Sequence, residues 1–309
     1  MKLASIEKIL EVFPHPNAES LEFVKVLGYQ CIVPKGKWSQ GNWCILIQPD
    51  TVLPNAGWAE FYKRNSPKRV KALKLRGMWS FGIVEDISIL PFGPDHFEGE
   101  GMDVSEFLGI IKYEEPEPVD RDAESGFPWW MRKTGEDMWQ TLPLETYYGK
   151  LVDVTLKLDG KSMSIFNYEG KQRVCSRRLV FKPECDNSYM RVVQTQEVFN
   201  KLTALQEICG QNLVFRGELF QGEFYLFGVY RITTRENFGP NSEFYFKKVA
   251  ERLNINSVPI IEKQVPLTLE LIQKYQNMDK LDGNPFEGVV IVGDTFSFKV
   301  INLNYDSKK

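Results

Sequence analysis

Histidine is almost absent from this sequence, which holds only His15 and His96 in 309 residues. Both lie in segments that we interpret as loops, so a Ser-His-Asp or Cys-His site would have to be built around one of them. The chain also has no GxxxxGK[ST] loop and no GxGxxG run between a strand and a helix. These absences give little support to a histidine-assisted nucleophile, a Walker-type phosphate loop or a dinucleotide-binding fold.

Cysteine is also scarce, and its pattern predicts no disulfide framework. The number of cysteines is odd and no paired spacing is present, so a secreted fold stabilised by disulfide bonds is not indicated. The interval from Cys175 to Cys185 lacks the further ligands of a structural zinc site. We therefore expect reduced thiols in a cytoplasmic protein. The cysteines are Cys31, Cys44, Cys175, Cys185 and Cys209.

Long apolar runs and an N-terminal signal are missing as well. The longest apolar pieces, such as WCILIQ and FEGVVIVG, are far shorter than the roughly 20 residues that cross a bilayer as a helix. The first residues, MKLASIEKIL, lack the basic segment and apolar core that mark a secretory signal. With 43% hydrophobic residues, the chain can still fill the cores of one large or two medium domains. We expect a protein without a membrane partner.

A net charge of −3 gives no overall signal for nucleic acid, but the charge is unevenly distributed. Residues 63–76 (KRNSPKRVKALKLR) hold seven basic side chains and no acidic one. Alternation along a strand would place Lys74 and Arg76 on one face and Leu73 and Leu75 on the other. The run is a candidate phosphate-contacting surface. An ordinary solvated face explains it equally well on sequence alone.

The spacing of strands and turns predicts an α+β chain with two domains. Residues 1–110 contain short apolar segments separated by turn residues, which is typical of a small closed β-barrel. Residues 111–128 are acidic and contain prolines, so we interpret them as a linker. Residues 129–309 mix longer strands with helices, which predicts antiparallel sheets flanked by helices.

Two local patterns in the second domain are specific enough to predict single elements. NYEGKQ, between two alternating segments, predicts a hairpin turn. In residues 195–210, apolar side chains recur at helical spacing and the run stops at Gly210, which predicts a helix with a C-terminal glycine. The apolar positions are Val198, Phe199, Leu202, Leu205 and Ile208.

A lysine pair and several carboxylates stand at strand ends or turns of the second domain. They are Lys157, Asp159, Glu218, Glu287 and Lys299. A lysine amine attacks only when it is neutral, a state favoured by burial or by a neighbouring cation, for which Lys299 is the candidate. Carboxylates around one cleft suit Mg²⁺, which keeps several waters and bridges substrate phosphates. Each residue alone is more often solvent-facing, but together they predict a cleft for phosphate chemistry.

Six ordered motifs give the chain a resemblance to a known superfamily. KLDG at 157–160 matches the KxDG motif of the covalent nucleotidyltransferases, which include ATP-dependent DNA and RNA ligases and mRNA capping enzymes. A lone KxDG is weak evidence, whereas six elements in the superfamily's order make the resemblance specific. The other five are CSRRL at 175–179, RGEL at 216–219, FYLFGVY at 224–230, FEGVV at 286–290 and SFKVI at 297–301.

Within that superfamily, the chain is similar to one group of RNA ligases. Only ten residues follow Lys299, too few for the OB-fold domain that follows the last motif in DNA ligases and capping enzymes. The N-terminal region instead resembles the OB domain of RNA ligases of the Naegleria and Deinococcus type. The resemblance covers nearly the whole chain and implies an N-terminal OB-type β-barrel followed by a nucleotidyltransferase domain. It implies an enzyme that uses ATP with Mg²⁺ or Mn²⁺ to join RNA 3′-OH and 5′-phosphate ends, in RNA repair.

The resemblance also implies a role for each site residue. Lys157 would attack the α-phosphate of ATP and hold AMP covalently, and Lys299 would contact that phosphate. Asp159, Glu218 and Glu287 would hold the metal ion and its waters, with Glu218 also near the ribose.

Further contacts are implied around these residues. Gly160 completes the nucleophile motif, and Gln140 and Arg177 would approach the nucleotide. Phe227 would stack on the adenine, with Tyr225 as the rival ring. The basic run of the first domain is expected to bind RNA through its cations, which include Lys71, Lys74 and Arg76.

The sequence departs from the family pattern at a few positions, which keeps other functions open. Met138 and Thr141 stand where relatives often have Arg and Asn, and Gly228 stands where they often have Asp. Lys299 has no second lysine in its motif, so Lys161 is a candidate for further phosphate binding. One alternative is a non-catalytic RNA-binding protein, and another is a DNA ligase or a GTP-using capping enzyme. An end-healing enzyme would be a fitting partner, and the sequence indicates no oligomeric state.

Overall fold

The computed structural model describes residues 2–65, 69–93, 96–114 and 120–305. Contacts between residues divide the chain into two compact units, Met1–Glu115 and Pro116–Lys309. Within the described ranges, no helix is long and apolar enough to cross a membrane.

The first unit consists mainly of short antiparallel strands. They pair in the orders β1-β5-β9 and β2-β3-β4, with two further pairs, β7-β8 and β10-β6. The strands are β1 Ala4–Lys8, β2 Glu11–Pro14, β3 Leu21–Val26, β4 Tyr29–Pro34, β5 Trp43–Ile47, β6 Thr51–Val52, β7 Leu73–Leu75, β8 Met78–Ser80, β9 Ile83–Glu85 and β10 Ile111–Lys112, and the helix is α1 Glu60–Asn65.

Strand β5 is buried on both faces. Ile45 and Ile47 enter one core cluster of the first unit, and Cys44 and Leu46 enter another. A strand covered on both sides needs apolar residues at successive positions. This explains why WCILI is a continuous apolar run.

The basic run of the first unit lies only partly on a strand. Arg76 and Gly77 form the turn from β7 to β8, with φ angles of 48° and 86°. The prediction that Arg76 shares a strand face with Lys74 is therefore wrong. A two-residue hairpin turn of this kind requires left-handed conformations at both central positions, which ends the strand at Leu75. Residues 66–68 of the run lie outside the described residues.

The acidic segment 111–128, which is predicted as a linker, contributes one strand to each unit. Strand β10 pairs with β6 in the first unit. Strand β11, Ala123–Gly126, pairs in the second unit with the strand Leu179–Phe181. Residues 115–119 lie outside the described residues. The domain limits at 110 and 129 stay a prediction.

The second unit contains two antiparallel sheets and four helices. The larger sheet has the order β11-β15-β14-β13-β16-β17-β18, and the smaller one has the order β19-β12-β20-β21. After β11, the strands are β12 Leu151–Leu156, β13 Lys161–Tyr168, β14 Lys171–Cys175, β15 Leu179–Phe181, β16 Leu213–Phe220, β17 Glu223–Arg231, β18 Glu236–Asn237, β19 Ile260–Pro266, β20 Gly288–Val292 and β21 Ser297–Ile301. The helices are α2 Ser188–Thr195, α3 Val198–Cys209, α4 Phe246–Leu253 and α5 Leu269–Asn277.

The two element predictions for this unit are confirmed with one exception. Glu169 and Gly170, with φ angles of 51° and 73°, form the hairpin turn between β13 and β14. Helix α3 ends at Gly210, which adopts the left-handed conformation of a C-terminal glycine. Ile208, predicted on the apolar stripe, is 64% exposed, because it lies in the last turn of the helix.

The two sheets of the second unit have separate main cores, and the larger sheet carries a smaller apolar cluster around Phe166 and Tyr230 on its other face. Side chains of the larger sheet pack with α2, α3 and α4. In the smaller sheet, Val154, Ile291 and Phe298 pack with Tyr275 of α5. Since side chains alternate along a strand, the remaining side chains of the smaller sheet point to its other face.

Candidate active site

Lys157 follows directly on β12 and lies beside the start of β20. Leu156 is paired with Val289, and the Lys157 backbone N–H continues the pairing by donating to the Gly288 carbonyl at 3.0 Å. Its Nζ lies 2.5 Å from Oε2 of Glu287, and the two side chains are 28% and 22% exposed. The first and fifth motifs of the sequence therefore meet in an ion pair.

Lys299 lies on the same face of the smaller sheet as Thr155 and Lys157. Its strand neighbours Phe298 and Val300 enter the core of the smaller sheet, so alternation directs Lys299 to the opposite face. Its backbone N–H donates to the Asp137 carbonyl at 2.9 Å. In β12, Val154 and Leu156 face that core, so the same alternation directs Thr155, which lies between them, to the opposite face. The structure thus places the two predicted lysines on one face of one sheet.

Glu218 brings the larger sheet into the same cluster. Burial raises the pKa of Glu218 to about 7, and the negative charges of Glu287 and Asp159 act in the same direction. Lys157 and a hydrogen bond from the Gly160 backbone oppose this rise in pKa. Removal from water is the largest cause, and the attraction of Lys157 does not offset it.

Gly160 allows the nucleophile motif to pass close to β16. A Cβ atom at this position would lie 2.5 Å from the Leu219 carbonyl oxygen and 2.9 Å from Cγ of Glu218. Both distances are too short for any side chain without displacing the strand. The glycine of the KxDG motif is thus needed for close packing against Glu218.

Asp159 is held by a residue that sequence reasoning missed. The Tyr305 hydroxyl donates to Oδ2 of Asp159 at 2.7 Å. The backbone leading to Tyr305 is fixed by Asn302, which is 2% exposed. Asn302 donates from its backbone N–H to the Glu287 carbonyl at 3.0 Å and from its side chain to the Phe286 carbonyl at 3.0 Å. No periodicity or motif in the last residues signals this contact.

The other side chains predicted to contact the nucleotide differ in their burial. Gln140 lies in a short turn, and its side-chain oxygen is buried without a hydrogen-bond donor. Arg177 is exposed, and its guanidinium lies 3.2 Å from where a Cβ of Gly135 would be. Lys161, the candidate for further phosphate binding, is exposed at the start of β13.

One of the two candidate rings on β17, Phe227, lies in a β-bulge. Arg216 is paired with Gly228 and Gly217 with Leu226, which leaves Phe227 as the extra residue. Tyr225 is paired with Glu218, so it shares a sheet face with that carboxyl group.

Arg216 is a buried cation to which the sequence argument gave no role. It is 4% exposed and its guanidinium lies 3.7 Å from the centre of the Tyr230 ring. Burial lowers the pKa of Arg216 to about 10. It donates a hydrogen bond to the Arg132 carbonyl, so it fixes the segment that starts there.

Residues 132–138, which we call the bridging segment, connect the two sheets. Thr134 and Ser162 of β13 share a hydrogen bond of 2.7 Å between their hydroxyls. Ser297 of β21 donates to Glu136 at 2.6 Å. Sequence reasoning missed this segment because no residue in it matches the family pattern. These hydrogen bonds connect the larger sheet to β21, the strand that carries Lys299.

The three predicted metal ligands lie near one another but do not form a ready ligand set. Over the part of the chain that the structure describes, no group of three His, Cys, Asp or Glu side chains is close enough to hold a metal ion. Glu287 is engaged by Lys157 and Asp159 by Tyr305. Their charges still act together on Glu218.

The three predicted RNA contacts of the first unit, Lys71, Lys74 and Arg76, are all exposed. Lys74 lies over the ring of Trp79, with its Nζ 5.5 Å from the ring centre. The two residues are paired across the β7-β8 hairpin.

Comparisons with known proteins agree with this architecture. Residues 150–301 match the family described as RNA ligase, and residues 3–87 match an OB-fold domain. A point mutant of the Naegleria gruberi RNA ligase with AMP and Mn is 25% identical at a TM-score of 0.75, covering 98% of this chain and 97% of that chain. The same enzyme with PPi is 26% identical at a TM-score of 0.75, with the same coverage. No curated protein sequence matches the chain.

The comparisons confirm the predicted fold. The first unit carries an OB-fold domain, and antiparallel sheets with few helices follow it, as in the Naegleria structures. The matching Naegleria structures include complexes with AMP and Mn and with ATP and Mn.

Proposed function

We propose that this chain, whose residues 150–301 match the RNA ligase family, is an ATP-dependent RNA ligase that joins RNA 3′-OH and 5′-phosphate ends through AMP bound to Lys157. The observation that carries this proposal is the meeting of Lys157, Glu287 and Glu218 in one cluster. Lys299 projects from the same face of the sheet as Lys157.

In the first step, Nζ of Lys157 would form a bond to the α-phosphorus of ATP. The bond from that phosphorus to pyrophosphate breaks, and Nζ gives up a proton. Oε2 of Glu287, at 2.5 Å, is placed to accept it. AMP then passes to an RNA 5′-phosphate, and the 3′-OH of a second end displaces AMP. Such chemistry depends on positioning and charge neutralisation, which suits a site without histidine.

Several side chains fit the nucleotide. Gln140 offers a buried acceptor without a donor, which an amino group of the base would satisfy. We favour Tyr225 over Phe227 as the ring beside the base, since Tyr225 is paired directly with Glu218, whereas Phe227 is the unpaired residue of the bulge. Arg177 and Lys299 would neutralise phosphate charge.

We propose that Asp159, Glu218 and Glu287 hold Mg²⁺ or Mn²⁺ together with waters. The raised pKa of Glu218 is the supporting observation, because a cation would relieve the repulsion among these carboxylates. The ion would supply charge neutralisation at the phosphate oxygens. An ion that keeps waters and binds substrate phosphates needs no complete set of protein ligands.

The exposed cations of the first unit would grip RNA, with Trp79 beside them as a surface on which a base can stack. We propose a cytoplasmic location, because all five cysteines are free thiols. We also propose a role in RNA repair. Ends that do not carry 3′-OH and 5′-phosphate would need a separate end-healing enzyme.

The test is covalent labelling with ATP carrying a radioactive α-phosphate. We expect an acid-labile adduct that requires Mg²⁺ or Mn²⁺, is absent in Lys157→Ala, and is chased into product by nicked RNA. Labelling by GTP in place of ATP would indicate a capping enzyme, and a chase by nicked DNA alone would indicate a DNA ligase. A wild-type protein that takes up no label would overturn the adduct.

A further inference from the structure

The second unit exposes a tryptophan that packing does not explain. Trp129 is 86% exposed, whereas its neighbour Trp130 packs against the rings of Phe166 and Tyr168, with ring centres 5.2 and 4.8 Å away. Leaving an indole in water forfeits the large apolar burial that this side chain can provide. Two adjacent tryptophans thus have opposite environments.

The position of Trp129 is fixed even though its ring is exposed. The Arg235 guanidinium donates to the Trp129 carbonyl at 3.0 Å. Three residues further on, the Arg132 backbone N–H donates to the Tyr230 hydroxyl at 3.0 Å. The ring is therefore presented from a fixed backbone, which lowers the entropic cost of stacking a ligand on it.

The surroundings of Trp129 are basic. Residues 129–135 and 231–235, which meet at the Arg235 hydrogen bond, contain four basic residues and no acidic one, and the acidic residues that follow them directly are Glu136, Asp137 and Glu236. The Arg132 side chain is 67% exposed, with Asp137 as an ion-pair partner at 3.6 Å. Lys133 and Arg235 are exposed as well. An aromatic ring among cations suits a single-stranded nucleic acid, whose bases stack while its phosphates pair with the cations.

The surface connects to the proposed active site. The Arg132 backbone is hydrogen-bonded to Tyr230 of β17, which is paired with Val214 of β16. Glu218 also lies on β16, four residues after Val214. That separation is roughly 13 Å at about 3.3 Å per residue, or about four stacked bases at about 3.4 Å each. The bridging segment runs from this surface to the strand of Lys299.

We propose that Trp129, with Arg132, Lys133 and Arg235, forms a site of the second unit on which a base of single-stranded RNA stacks a few nucleotides from the joined end. The proposal rests on the proposed function for the identity of the ligand. It assigns RNA binding to the ligase domain itself, separately from the cations of the OB-fold domain.

The test measures binding of a fluorescein-labelled, unstructured oligoribonucleotide by anisotropy, without ATP, to full-length variants. We expect Trp129→Ala to weaken binding roughly 10- to 100-fold and Trp129→Phe to retain most of it, since any base can stack on either ring. Arg235→Ala should lower the slope of log Kd against log salt by about one. Ile208→Ala, at an exposed apolar position of the same unit, should bind RNA as the wild type does.

Labelling of Lys157 by ATP is the control for folding, since Trp129 takes no part in the cluster around Lys157. A Trp129→Ala protein that takes up AMP normally and also binds the oligoribonucleotide like the wild type would overturn the proposal. RNA binding that depends on Trp129 in a protein that never takes up AMP would support this site and refute the adduct. The two proposals therefore fail separately.

Discussion

The Tyr305 hydroxyl donates a 2.7 Å hydrogen bond to Asp159, and this bond links the end of the described chain to the nucleophile motif. It also raises the pKa of Tyr305 to about 12, because the neighbouring carboxylate disfavours a phenolate. The preceding Asn302 holds the Glu287 backbone. One short segment thus contacts two of the residues that we propose as metal ligands, Asp159 at its carboxylate and Glu287 at its backbone carbonyl.

We predict that Tyr305→Phe weakens the use of metal by the enzyme. Loss of a hydrogen-bond partner that orients a ligating carboxylate typically costs about 10- to 100-fold in metal affinity or activity. The half-saturating Mn²⁺ concentration for labelling of Lys157 should rise by a factor in this range. Tyr148→Phe, at an exposed tyrosine of the same unit, should leave it unchanged. An unaltered Mn²⁺ titration in Tyr305→Phe would show that the bond does not position Asp159.

The cluster around Lys157 could be predicted from sequence because its members sit in motifs at strand ends. Lys157, Glu287 and Glu218 come together as expected, and Lys299 shares the face of Lys157. Tyr305 could not be predicted, since a single hydrogen bond from an irregular segment leaves no periodic signal. The bridging segment was missed for the same reason.

Local backbone geometry explains the errors. Alternation predicted one face for Lys74 and Arg76, but the turn formed by Arg76 and Gly77 ends the strand first. Strand β17 also contains a bulge, in which Phe227 is the extra residue and the register shifts before Gly228. A period of two holds only while the pairing register is unbroken.

We predict that Glu218 makes the stability of the enzyme depend on pH when neither nucleotide nor metal is bound. Its pKa is raised from 4.5 to about 7 on folding, so the folded state holds this proton more tightly. The resulting stabilisation is full below pH 4.5 and is lost as the pH rises through about 7. The wild type should lose on the order of 1–3 kcal/mol relative to Glu218→Gln between pH 4.5 and 8, after allowance for partial exposure.

Urea unfolding of both proteins at several pH values measures this difference. Mn²⁺ should reduce it at high pH, since a cation offsets the buried negative charge. Parallel stability curves for the wild type and Glu218→Gln would contradict the raised pKa.

We predict that Gly160→Ala impairs labelling of Lys157 more than it impairs folding. The added Cβ would meet the Leu219 carbonyl oxygen at 2.5 Å, so the loop must move away from Glu218. A cost of about 1–3 kcal/mol in stability is expected from such overpacking. Displacement of the neighbouring Asp159 and Lys157 should lower the labelling rate by about 100-fold or more. Gly57→Ala, where a Cβ would meet nothing within 4 Å, is the control.

The last prediction separates RNA binding by the first unit from chemistry in the second. Changing Lys71 and Lys74 to Ala should leave labelling of Lys157 by ATP near normal, because that step needs only nucleotide and metal. Sealing of nicked RNA should weaken, and the loss should grow with ionic strength because fewer phosphate contacts remain. Arg76 is left unchanged, since its left-handed conformation would add backbone effects to the loss of charge. The matched control changes Lys35 and Lys112, two other exposed lysines of the first unit. Equal sealing by both double variants across a salt titration would mean that the basic run is a solvated face.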